Sequence, residues 1–189
     1  PDYYIWPLEV HIINYLIHQN SQPLNVDDVN FICNEFVNKN KALSIFSKSF
    51  QDAYLKSCKT ACKSYLGKSM EDIISIVKTS YNTWDNYALS VLYLRLLAIM
   101  FGKGFVNNKL LIYFSQLLLE NISPFPHKRY SLKKTLTKFR EIFFIDEKPK
   151  NYIELIDNFY YDKDFLTQKI KEDLDSLPKL RRNLMKNKK

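Results

Sequence analysis

Cys58 and Cys62 stand four positions apart, so on a helix their thiols share one face, and two thiols at that spacing are half of a metal site. His11, His18 and His127 lie far away in sequence and no second cysteine pair exists. The three cysteines, Cys33 included, are therefore expected to be small buried apolar residues of a protein kept in a reducing compartment, with no metal site. Phosphate chemistry through a glycine-rich loop is excluded, because the chain has only Gly67, Gly102 and Gly104 and they match none of the Walker, dinucleotide or kinase patterns. Three charged residues are better placed. Asp85 heads a long apolar stretch, where a carboxylate is expected to be compensated by backbone N–H groups of its own helix or of a neighbouring loop, each charge-assisted bond contributing about 1.5–3 kcal/mol. Glu9 follows Pro7, and Arg129 follows Pro124-Phe125-Pro126. Taken singly, Glu9 is what the helix dipole favours in any first turn, Asp85 is a simple cap, and Arg129 is a solvated surface charge.

The elements that must hold these residues are helical. The 189 residues are 46% hydrophobic and 15% aromatic, enough for one domain with a sizeable core. A formal charge of +8 with both signs along most of the chain tolerates acidic partners and identifies none. Leu8, Ile12, Ile13, Leu16 and Ile17 repeat at helical spacing after Pro7, whose missing N–H suits a first turn. Asn25 caps a second helix with the stripe Val29, Ile32, Cys33 and Phe36. A third is predicted from Lys41 to Leu66, ended by Gly67, and a fourth from the Ser69-Met70-Glu71-Asp72 capping signal to about Ser80. From Trp84 to Phe101 no polar stripe is left, which predicts a helix covered by protein on most sides. Its longest apolar run, Tyr87 to Phe101, is 15 residues and contains Ser90 and Arg95, short of the roughly 20 that cross a bilayer, so no membrane contact is expected. Two more helices are predicted over about Asn107 to Glu120 and from Ser131 to near Phe144. Six Lys or Arg and no acid occupy Lys179 to Lys189.

Three stretches in one order carry a resemblance. Asp85-Asn86-Tyr87-Ala88-Leu89-Ser90-Val91 resembles the start of the central buried helix of the protein-kinase C-lobe, written D-x-W-S-x-G-V, with Tyr87 in the Trp place and Ser90 in the Gly place. Pro1 to Val10 looks like the end of an activation segment, with Glu9 standing for the Glu of A-P-E. Pro124 to Leu132 is similar to the turn D-P-x-x-R-P-S/T that opens the last C-lobe helices, with Arg129 matching the family's Arg and Ser131 its cap. The resemblance implies a buried Glu9–Arg129 ion pair and makes Asp85 the anchor of the catalytic loop. It also implies an all-α fold: the helical C-lobe of a serine/threonine protein kinase, without the N-lobe.

Departures accompany the likeness. Glu9 and Asp85 are 76 positions apart where kinases have a short helix and a loop, so residues 25–80 are expected to be a helical insertion between an activation-segment end with its following helix at 1–24 and core helices at 81–147, with a C-terminal helical extension and basic tail at 148–189. Such an insertion and the lysine- and asparagine-rich composition are most like kinases of large DNA viruses, implying the host cytoplasm or a virion as location. Ser90 in the Gly place leaves the local packing open. The phosphate loop, the strand lysine, H-R-D-x-x-x-x-N and D-F-G do not occur in the chain, so catalytic, cofactor-binding and metal residues are expected to be none, with ATP and Mg²⁺ held by a longer parent. The partners implied are the missing N-lobe and catalytic loop and a protein substrate. An excised piece of that kind is expected to expose apolar surface near residues 1–10 and 84–88. Two other readings stay open: a pseudokinase scaffold, and a helical interaction or nucleic-acid-binding module that would hold phosphates electrostatically through the 179–189 tail.

Overall fold

The computed structural model describes residues 4–18 and 23–145, with side chains through Ile142, and the described residues belong to one compact unit ending at Ile145. They form seven α-helices joined by short turns, and no strand occurs among them. The order is α1 Leu8–His18, α2 Val26–Lys39, α3 Lys48–Cys62, α4 Met70–Lys78, α5 Trp84–Gly102, α6 Lys109–Asn121 and α7 Leu132–Ile145. The extension and basic tail at 148–189 lie outside the described residues.

Most helix starts are fixed by local chemistry. Asn25 and Asp28 make a reciprocal capping box at α2, each side chain accepting the other's backbone N–H at 2.9 and 3.0 Å, and Tyr15 of α1 donates its hydroxyl to the same Asp28 at 2.7 Å. Ser69, Asn108 and Ser131 cap α4, α6 and α7 through the N–H groups of Asp72, Leu111 and Lys134. The third helix starts later than its apolar pattern predicts. Asn40 accepts the N–H of Ala42 and holds residues 41–46 in turns, and the helix begins only after Ser47, whose hydroxyl takes the N–H of Phe50. Gly67, at φ 68°, turns the chain after α3 and donates its N–H to Leu24 at 2.9 Å.

Packing joins these helices into two connected groups. α1 lies against α2 and α4, and α2 against α3; α5 lies against α6, and α6 against α7. Tyr54 of α3 ties the groups together by donating its buried hydroxyl to the carbonyl of Ile122, just beyond α6, at 2.6 Å. The 25–80 segment, whether or not it is an insertion, is thus packed into the common core.

The central helix departs from expectation on one side. Tyr87, Val91, Leu94 and Leu97 of α5 are buried, but Leu89 is 48% and Leu92 47% exposed, Tyr93 is exposed, and Leu96 is half-buried. A pattern apolar all round states what a helix can bury; it does not state which sides find a neighbour. Of the apolar surface expected near 1–10 and 84–88, Pro7, Leu8 and Tyr87 are buried while Tyr4, Ile5, Trp6 and Trp84 are half-buried, and the fully open side of α5 begins at Leu89. None of the described helices is long and apolar enough to cross a membrane.

His11 of α1 is buried, stacked on Tyr4 and met by the edge of Phe36, with ring centroids 5.0 and 5.2 Å away. Burial holds its imidazole down from 6.5 to about 4. Because the folded-state value is the lower one, the unfolded chain takes up this proton first: stability is unaffected above about pH 6.5 and falls as pH drops from there to about 4, by about 3 kcal/mol in all. Urea unfolding of the protein and of its His11→Phe variant across this range is expected to show that difference in pH dependence. Parallel curves would show that His11 does not titrate in this way.

Candidate functional site

The residues that resemble three separate motifs meet at one point. Glu9, in the first turn of α1, and Arg129, in the turn before α7, form a bidentate ion pair across 120 positions of sequence: Nη1 donates to Oε1 at 2.6 Å and Nη2 to Oε2 at 2.8 Å. Their side chains are 2% and 0% exposed. Fork-to-fork geometry is what a guanidinium offers a carboxylate and a lysine cannot.

Further partners come from the start of α5 and from the turn that carries Arg129. The Trp84 indole N–H donates to Glu9 Oε1 at 3.2 Å. Arg129 Nε donates to the Ser123 carbonyl at 2.8 Å and Nη1 to the Thr83 hydroxyl at 3.3 Å. The guanidinium lies over the Tyr87 ring, 4.9 Å from its centroid. Pro124 and Pro126 shape the approach, with the N–H groups of Lys128 and Arg129 closing turns on Phe125 and Pro126 at 3.0 and 3.2 Å. Burial works against the charge on Arg129, but the bonds and the field of Glu9 outweigh it and hold the guanidinium above its ordinary value.

Around this pair lie groups kept neutral by burial. The Tyr54 and Tyr87 phenols are pushed well up by desolvation, Tyr65 rises to about 12 for the same reason, and the Cys58 thiol is likewise pushed up. None of them competes with Glu9 for the guanidinium as an anion at neutral pH. The chemistry here is rigid positioning: α1, the head of α5 and the turn into α7 are held in one arrangement.

Ser90 has a defined place. Its hydroxyl donates to the Asn86 carbonyl at 2.7 Å and accepts from Asn121 Nδ2 at 3.1 Å. Thr135 donates to Asn121 Oδ1 at 2.9 Å and accepts from Asn86 Nδ2 at 2.9 Å, and Asn86 also reaches the Tyr130 carbonyl at 3.2 Å. This polar ring joins α5, α6 and α7, so a serine where the resembling motif has glycine finds partners on both sides.

Asp85 departs from its expected compensation. It is exposed in the first turn of α5 and makes no hydrogen bond or ion pair with any described residue, so water and the helix N-terminus solvate its charge. Asp85, Leu89, Leu92 and Leu96, at helical spacing, fall along one side of α5, placing this carboxylate at the head of the open apolar face. Among the described residues no group of three or more His, Cys, Asp or Glu gathers as metal ligands do. Sequence reasoning did not find Trp84, Thr83 and Ser123 as partners of the ion pair. The only signal was a tryptophan beside a helix start, whose N–H needs an acceptor if buried. It also did not find that Cys33 and Cys62 are neighbours.

Comparison of the chain with protein-family models, with curated proteins and with solved structures gives no match.

The buried pair predicts a specific pattern of stability. Glu9→Leu and Arg129→Met are each expected to cost about 3–5 kcal/mol, because each strands the other charge away from water. The double variant is expected to lose much less than the sum of the two. Urea unfolding of all four proteins checks this, and additive losses would show that the two residues are not coupled.

Proposed function

We propose that this chain is the C-terminal lobe of a protein-kinase-like phosphotransferase, in which it supplies the docking and structural platform while a preceding part of the protein holds ATP, Mg²⁺ and the catalytic residues. The observation that carries the reading is the buried bidentate Glu9–Arg129 pair. It joins the residues in the Glu place of A-P-E and the Arg place of the late turn, and Trp84, beside Asp85, is its third member. The order and meeting of the three stretches support the likeness more than any of them does alone.

On this reading the chain's own residues hold and orient. Glu9 and Arg129 fix the end of the activation segment against the late helices, so that a protein substrate has a rigid surface to dock on. Asp85 is free to accept backbone N–H groups of a catalytic loop, and the open side of α5 at Leu89, Leu92 and Leu96 is apolar surface for the rest of the lobe to cover. Transfer of the ATP γ-phosphate to a Ser or Thr hydroxyl would take place outside this chain, on groups it lacks.

The test begins with the residues encoded before Pro1, where H-R-D-like and D-F-G-like motifs are expected; a reading frame without them overturns the proposal. In the protein so defined, Asp85→Asn is expected to lower transfer of labelled phosphate from ATP to Ser/Thr peptides by about 10²-fold through misplacement of the catalytic loop. The same substitution in the present chain is expected to leave its stability within about 0.5 kcal/mol, since Asp85 is exposed. Unchanged transfer would remove the anchor role, and a parent with the motifs but no transfer would be a pseudokinase scaffold.

A further inference from the structure

Cys33 of α2 and Cys62, the last residue of α3, face each other across the α2–α3 contact with their sulfurs 3.7 Å apart and hydrogen-bonded. Both are free thiols at 0% exposure. A disulfide needs the sulfurs at about 2.05 Å, so the gap to close is less than about 2 Å. Cys62 sits where α3 passes into the one-turn 3-10 helix Lys63–Tyr65, a helix end whose backbone adjusts more readily than the middle of a helix. Cys58, one turn earlier on the same face, is also fully buried, and desolvation and the neighbouring Cys33 push its thiol up.

We propose that Cys33 and Cys62 are a thiol–disulfide site, oxidised by a small-molecule disulfide of the glutathione type to a bridge that staples α2 to α3. This site is independent of the phosphotransferase reading. The exchange runs in two balanced steps. The Cys33 thiolate attacks one sulfur of the small disulfide; its other half leaves as a thiolate and takes up the proton that Cys33 gave up. The Cys62 sulfur then attacks Cys33 in this mixed disulfide, loses its own proton, and expels the second small thiolate, which is protonated. Two protein thiols are oxidised and one small disulfide is reduced to two thiols.

Cys33 is the sulfur suited to attack first. The hydrogen bond shared with Cys62 and the nearby charge of Lys59 hold its thiol below the ordinary range despite burial. Cys62 is pushed up by the same sulfur–sulfur contact and by burial, and Cys58 by desolvation. Since all three are fully buried, an oxidant reaches them through local opening of α2 from α3, so the reaction is expected to be slow.

The full 189-residue chain, incubated without denaturant at about pH 8 with oxidised glutathione, then alkylated and digested without reduction, gives the answer. The expected product links the Cys33 and Cys62 peptides and leaves Cys58 alkylated. Cys62→Ala is expected to stop at a mixed disulfide on Cys33, Cys33→Ala to give no bridge, and Cys58→Ala to behave as the parent protein does. The bridged protein is expected to melt roughly 5–10 °C higher than the reduced one. No linked peptide from folded protein, linkage through Cys58, or a glutathione adduct on Cys58 in place of Cys33 would each overturn the site. An unchanged or lower melting temperature would overturn the staple.

Discussion

Two charges with almost no exposure, one from the first described helix and one from the turn before the last, set the constraint on the rest of the structure. Removing a carboxylate and a guanidinium from water is costly, and their attraction offsets that cost only when geometry is close and every remaining donor finds an acceptor. Here Nε, Nη1 and Nη2 of Arg129 all have acceptors, and Glu9 takes a third bond from Trp84. Meeting those requirements fixes at once the direction of α1, the entry into α5, and the path of the chain from Ser123 to Arg129. An arrangement of the same helices that parted the pair would leave a bare charge inside.

The helix between them shows how one element serves two purposes. Its covered side carries Tyr87 beneath the guanidinium and the Asn86–Ser90–Asn121–Thr135 ring, polar groups that find their partners only in this packing. Its other side is apolar and exposed, headed by a carboxylate that bonds to nothing described. On the function proposed above, this is the side that the rest of the protein would cover.

Much of the architecture was legible in the residues because it depends on neighbours in sequence. The caps at Asn25, Ser69 and Ser131 and the stop at Gly67 are chemistry within a few positions, so the seven helices and most of their ends could be anticipated. The exception, α3, began late because Asn40 and Ser47 competed for the same backbone groups that an apolar pattern assigned to a helix. The Glu9–Arg129 pair was anticipated only by likeness to a known arrangement, since nothing in either residue's local setting distinguishes it from a solvated charge.

Composition, periodicity and capping residues determined that the chain is helical, that it has no glycine loop for phosphate, and where most of its helices start. Tertiary structure decided that Glu9 meets Arg129, that Asp85 faces solvent, that α5 is covered on one side, and that the thiols of Cys33 and Cys62 touch. The division has a physical cause. Capping and helical periodicity act over three or four residues, whereas these contacts join groups 29 to 120 positions apart, and which of them form depends on how whole helix faces pack.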